Sequence, residues 1–136
     1  MKVFLKKGRD RPVLNGNPWI FSGAIEKTED NSAADPVADV FDSRGNWLAR
    51  GLYNPKSQIR LRLLTWENEE IDSAFFIRRL SQAGALRTTI LSPSTDSYRV
   101  VNGEGDLLPG LVVDRYADFL VCQFFTAGID KLKSVV

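Results

Sequence analysis

The sequence predicts an α+β protein in two units. A small, mostly β, barrel-like unit occupies residues 1–68, and a compact unit of one helix and a short antiparallel sheet follows over residues 69–126. Three observations carry this. Gln58 to Leu64 alternates, with Ile59, Leu61 and Leu63 on one side and Gln58, Arg60 and Arg62 on the other, which is the period of a strand. Phe76, Leu80 and Ala83 recur at helical spacing behind Asp72. Between these patterns lies the polar break Glu67-Asn68-Glu69-Glu70.

Taken in order, Lys2 to Lys6 alternates charged and apolar residues and reads as a first strand with Val3 and Leu5 on one face. Asn15-Gly16-Asn17-Pro18 is a dense turn signal. Pro18 then either enters the first turn of a short helix or follows the turn directly, and Trp19, Ile20 and Phe21 supply core mass. Glu26 to Pro36 reads as an exposed acidic loop. Val37–Phe41 and Trp47–Leu52 form a hairpin around Asp42–Asn46, where Gly45 and Asn46 tolerate positive φ.

In the second unit Asp72 is a credible N-cap, and Ile71 and Phe76 stand at the spacing of a hydrophobic staple. The spacing predicts a helix from about Ser73 to Ile90, stopped by Pro93. Strands follow at Tyr98–Asn102, Leu111–Asp114 and Phe119–Phe125, the last two joined through Ala117-Asp118. Residues 127–136 read as the first turns of another helix.

At 136 residues, 43% hydrophobic and 26% charged, the chain has the composition of an ordinary globular protein. No apolar run approaches the ~20 residues needed to span a bilayer, and the N-terminus lacks a secretory signal, so a cytoplasmic location is expected. Cys122 is the only cysteine and histidine is absent. That excludes an intrachain disulfide and histidine-based acid–base or triad chemistry, and it argues strongly against a Cys/His zinc site. Charge is uneven: residues 1–62 hold 11 Lys/Arg and 7 Asp/Glu, residues 63–136 hold 7 and 10. A basic front half suits a polyanionic partner.

Gly103-Glu104-Gly105 invites comparison with a phosphate-cradling loop, but the apolar, β-like run after it is broken by Pro109-Gly110 and supplies no helix N-terminus. Glu104 and Asp106 would also repel a phosphate. Glu104, Asp106 and Asp114 could gather as carboxylates. The simpler reading has Asp106 capping the turn and Glu104 paired with Arg99 or Arg115. Cys122 lies mid-strand and reads as a structural thiol. The basic set Lys6, Lys7, Arg9, Arg11, Arg44, Arg50, Lys56, Arg60 and Arg62 has Tyr53 and Trp47 interleaved, a mixture suited to phosphates and unpaired bases. Arg60 and Arg62 serve equally well as a soluble strand exterior. Trp19 reads as core.

Two motifs add a resemblance. Residues 1–66, with Asn15-Gly16-Asn17-Pro18-Trp19-Ile20-Phe21-Ser22-Gly23 and the run Ala49–Arg62, resemble the N-terminal PUA domain of the bacterial SAM-dependent 23S rRNA cytosine-5 methyltransferase family. The run from Arg99 to Tyr116, through Asn102-Gly103-Glu104-Gly105-Asp106-Leu107-Leu108-Pro109-Gly110, resembles the small α+β domain that follows it in that family. The resemblance implies a PUA-type barrel that docks RNA, 23S rRNA as the substrate class, and a third, Rossmann-like methyltransferase domain that these residues do not include. It places the SAM site and the catalytic cysteine in that third domain. The chain is then the front part of a longer enzyme, with no catalytic, cofactor-binding or metal-binding residues of its own. SAM is implied for the whole enzyme.

The RNA-binding candidates are therefore Lys6, Lys7, Arg9, Arg11, Arg44, Arg50, Tyr53, Lys56, Arg60 and Arg62, and Glu104, Asp106, Asp114 and Arg115 are candidates for facing the methyltransferase domain or shaping its pocket. A second copy of the chain is a further candidate partner. Asn17 stands where the family usually has His, and Ala117 where its turn usually has Gly. The rival reading is a stand-alone module for protein interaction or oligomerisation, using the exposed edges of small sheets.

Overall fold

The computed structural model describes residues 1–29 and 35–136 and divides into two units, Met1–Glu69 and Glu70–Val136. In the first, β1 (Lys2–Leu5), α1 (Arg11–Leu14), β2 (Trp19–Phe21), β3 (Ile25–Glu29), β4 (Val37–Phe41), β5 (Trp47–Tyr53) and β6 (Ile59–Thr65) follow one another. The strands form one sheet in the order β2-β6-β5-β4-β1-β3. Its pairs are antiparallel except β1 with β4.

Register shifts at Phe4/Leu5, Ile20/Phe21, Val40/Phe41 and Arg50/Gly51 each bend a strand, and the sheet curls into a half-barrel. Alternate residues then meet inside: Val3, Leu5, Ile20, Ala38, Val40, Ala49, Leu61 and Leu63 make the core, with Val13 from α1. Trp66 donates its indole N–H to the Val13 carbonyl at 2.7 Å, which ties α1 to the end of β6. Gly51 is required by closeness. A Cβ there would lie 2.4 Å from the Arg62 carbonyl oxygen and 2.7 Å from Leu63 Cα, both backbone atoms of the neighbouring strand.

The second unit holds α2 (Ser73–Ile90), β7 (Ser97–Asn102), β8 (Leu111–Tyr116), β9 (Phe119–Phe124) and α3 (Ala127–Lys131). Asp72 caps α2 by accepting the Phe75 N–H at 2.9 Å, as the sequence predicts. The three strands form an antiparallel sheet in chain order, and the helix residues Phe75, Phe76 and Ala83 are buried, as are Val101, Leu108, Leu111 and Val113 of the sheet side and Ile129 of α3. Among the described residues no Rossmann-like domain is formed. Among the described residues no helix is long and apolar enough to cross a membrane.

Several expectations are corrected. Residues 26–29 are strand, not loop; the rest of the expected loop up to residue 34 lies outside the described residues. Of the two readings of Pro18 the second holds, since it follows its turn directly into β2 and the short helix precedes that turn. Only Ile20 of the Trp19-Ile20-Phe21 trio is core: Trp19 and Phe21 are 40% and 51% exposed, because β2 lies at the sheet edge with its alternate residues turned outward. Cys122 is exposed, since β9 is the outer strand of its sheet and Phe119, Leu120 and Val121 beside it are exposed too. Arg99 pairs with Asp114 at 2.8 Å across β7 and β8.

Candidate functional site

The turn between α1 and β2 opens a groove of about 340 Å³, lined by Arg9, Pro12, Val13, Asn17, Trp19 and Phe21 among others. Local chemistry shapes it. Pro12 sits in the first turn of α1, where its missing N–H costs nothing. Gly16 takes φ +80° and turns the chain back. Asn17 then accepts the Trp19 N–H on its Oδ1 at 2.9 Å, which fixes the start of β2 and leaves the carboxamide N–H donors for other acceptors. The register pairs Trp19 with Arg62 and Ile20 with Leu61, so Arg62 lies on the same outward face as Trp19.

A second hollow of about 360 Å³ lies at the end of β1, where Lys6, Lys7, Lys27 and Ser43 come together with Phe4 and Glu26. It joins residues distant in sequence, because β1 runs parallel to β4 and so places the β4–β5 turn, with exposed Arg44, beside the chain leaving β1. Lys27 was missed in the sequence because its strand was read as loop; its ammonium stands 4.7 Å from the Phe4 ring centroid and 2.5 Å from a Glu29 carboxylate oxygen.

The remaining candidates separate into two kinds. Lys6, Lys7, Arg9, Arg11, Arg44 and Lys56 are exposed, while Arg60 and Arg62 are half-buried on β6. Lys56 sits in a turn whose neighbour Gln58 accepts the Ser22 N–H and hydroxyl, next to the end of β2. Tyr53 is half-buried and packs against the core. Arg50 donates to Asp39 at 2.8 Å and also to the Glu69 carbonyl, so its guanidinium is committed to the sheet. Trp47 adds its indole N–H to the same Asp39 oxygen at 3.0 Å. Burial alone would raise the Asp39 carboxyl, but the Arg50 and Trp47 hydrogen bonds outweigh it and hold it below the usual carboxylate range.

In the second unit, Asn102-Gly103-Glu104-Gly105-Asp106 ends β7 and makes a 3₁₀ turn over Gly103–Asp106. Asp106 accepts two hydrogen bonds from Arg87 at 2.5 and 2.7 Å and caps the turn by accepting the Asn102 N–H at 2.6 Å. The Arg99 guanidinium beside Asp114 holds that carboxyl below its ordinary value and is itself raised. Arg115 is exposed and donates to the Ala117 carbonyl and to the Tyr98 hydroxyl. Asp106 and Asp114 therefore serve two separate ion pairs, and the described residues contain no group of three or more His, Cys, Asp or Glu placed to hold a metal ion. The turn is not a phosphate-cradling loop: antiparallel strand β8, not a helix N-terminus, follows its glycines, and Glu104 and Asp106 would repel a phosphate.

Comparison with known proteins agrees with this architecture. Residues 3–66 match the family model described as a PUA-like domain. The chain is 48% identical over 130 residues to the ribosomal RNA large subunit methyltransferase I of Tolumonas auensis, covering 94% of this chain and 33% of that protein. It is 43% identical to the protein of the same name from Serratia proteamaculans, covering 100% of this chain and 35% of that one. The chain thus spans about a third of the length of the curated relatives it matches. Among solved structures, a Streptococcus mutans protein described as a candidate SAM-dependent methyltransferase superposes with a TM-score of 0.80 at 17% identity, over 98% of this chain and 35% of that one. Another, described as a candidate methyltransferase complexed with SAH, gives 0.82 at 17% identity over the same shares. These two likenesses show the fold.

Proposed function

We propose, from the premise that residues 3–66 are a PUA-like domain and that the chain corresponds to the N-terminal part of larger proteins named ribosomal RNA large subunit methyltransferase I, that this chain is the RNA-docking portion of such an enzyme. The substrate class is 23S rRNA, the modified position cytosine C5, and the methyl donor SAM is bound by residues beyond those described here. The observation that carries the docking role is the groove between α1 and β2, walled by exposed aromatic rings and bordered by Arg9. Exposed Lys6, Lys7, Arg44 and Lys56 supply further phosphate contacts, whereas Arg50 and Tyr53 hold the sheet. Exposed Arg115 carries the proposed contact with a methyltransferase domain, whereas Asp106 and Asp114 are engaged in ion pairs inside their own unit.

The test is titration of a labelled RNA hairpin with the chain at rising salt. Binding through several cations loses more than about tenfold in affinity between about 50 and 200 mM salt. Affinity indifferent to salt overturns the reading. Calorimetry with SAM checks the division of labour: tight stoichiometric binding to these residues would contradict it.

One observation favours a second reading. Phe119, Leu120 and Val121 leave β9 an exposed apolar edge strand, a surface fit for pairing with another chain. Sedimentation that reports dimers at micromolar protein, with RNA affinity unmeasurable, would favour a self-association module.

A further inference from the structure

The groove beside α1 and β2 has features that phosphate binding does not need. It is mostly apolar, and its outer wall is Trp19 and Phe21, alternate residues of an edge strand that remain 40% and 51% exposed. Leu14, at the end of α1, is 62% exposed nearby in sequence. A folded chain ordinarily withdraws such rings from water, since a large aromatic side chain buries 150–250 Å² or so when it packs. Here β2 lies at the sheet edge, and among the described residues β6 is its one strand neighbour. The wall has cations on both sides: Arg9 lines the groove, and Arg62 is Trp19's cross-strand partner.

Size narrows the ligand. At about 340 Å³ the groove is at the small end of the ~300–1,000 Å³ range of small-ligand sites, room for one base and its sugar but not for the width of a duplex. Every nucleobase has a π face that can stack on an aromatic ring, and in a paired helix that face is already covered. Asn17 contributes carboxamide N–H donors at the groove lining, suited to the carbonyl or ring-nitrogen acceptors on a base edge.

Resting on the RNA-docking reading, we infer that this groove takes a single unpaired nucleobase of the RNA, stacked against Trp19 and Phe21, with Arg9 and Arg62 at its flanking phosphates. The site selects RNA with a bulged or looped-out nucleotide over continuous duplex. Phosphate contacts from Lys6 and Lys7 set overall affinity, and the aromatic wall sets the preference for an unpaired base.

Three RNAs of equal phosphate number separate these roles: a hairpin with a purine loop, the same hairpin with abasic loop positions, and a blunt duplex. The wild-type chain binds the intact hairpin about tenfold or more tightly than the other two. Trp19→Ala removes that margin and leaves duplex and abasic affinities unchanged; Trp19→Tyr retains most of it, and Trp19→Leu, which keeps apolar bulk without a ring, does not. Lys6→Glu with Lys7→Glu weakens all three RNAs alike. Equal wild-type affinity for the three RNAs, or full affinity in Trp19→Leu, overturns the inference while salt-dependent binding keeps the docking reading. Absence of salt-dependent binding to any of the three overturns both.

Discussion

Asp39 shows how one side chain is made to serve the fold. Its carboxylate accepts from Arg50 and from the Trp47 indole, and Arg50 continues to the Glu69 carbonyl, so one anion links β4, β5 and the residues ending the first unit. These bonds favour the charged form, and the folded carboxyl lies below its ordinary value. A depressed carboxyl contributes stability that is fully present above the unfolded value, about 3.9, and is lost as pH falls through the folded one. Asp39→Asn should therefore lower unfolding free energy by about 1 kcal/mol at neutral pH, and the gap from wild type should narrow below about pH 4. Urea melts at pH 7 and pH 3 measure it; a gap of the same size at both would contradict the assignment. Arg99 acts on Asp114 in the same direction, so acid sensitivity of this kind is built into both units.

At the scale of elements, legibility followed local signals. α2 was readable because Asp72, the helical face and Pro93 all agree, and β4, β5 and β6 because alternation and a Gly-Asn turn agree. α1 has four residues, too few for any period, and β3 is a polar edge strand with no apolar stripe. Trp19, Phe21 and Cys122 were misread for a shared reason: hydrophobic character predicts burial only if a neighbour covers the face, and β2 and β9 are both edge strands. Two predictions belong here. Gly51→Ala drives a methyl group into the backbone of β6, which cannot yield as a side-chain tip can, and should cost about 3 kcal/mol or more in chemical denaturation. A loss under about 1 kcal/mol would mean the strands separate easily. Ala117, first of the two residues joining β8 to β9, has φ +51°, a conformation that suits glycine. Ala117→Gly relieves that strain, partly offset by added unfolded-state freedom, and should stabilise the second unit by about 0.5 kcal/mol. A melting temperature that falls would argue that the turn is unstrained.

Across the whole molecule, net charge explains little and placement explains more. Met1–Glu69 carries 11 Lys/Arg against 9 Asp/Glu, and Glu70–Val136 carries 7 against 8, so neither unit is strongly basic. The basic residues of the candidate site were legible as residue types, because cations can be counted. Their grouping was not, since Lys6, Lys7, Lys27 and Ser43 meet only through the pairing of β1 with both β3 and β4. If docking depends on that grouping, moving an identical charge change elsewhere should not matter. Lys6→Glu with Lys7→Glu should weaken RNA hairpin binding about tenfold at roughly 100 mM salt and make the slope of log affinity against log salt shallower by about one to two. Lys131→Glu with Lys133→Glu alters the net charge by the same amount in the second unit and should leave affinity within about a factor of two. Anisotropy titrations of both variants beside wild type decide it. Equal losses would mean that RNA responds to the overall charge of the chain, and that the surface around β1 and the α1–β2 groove has no privileged role.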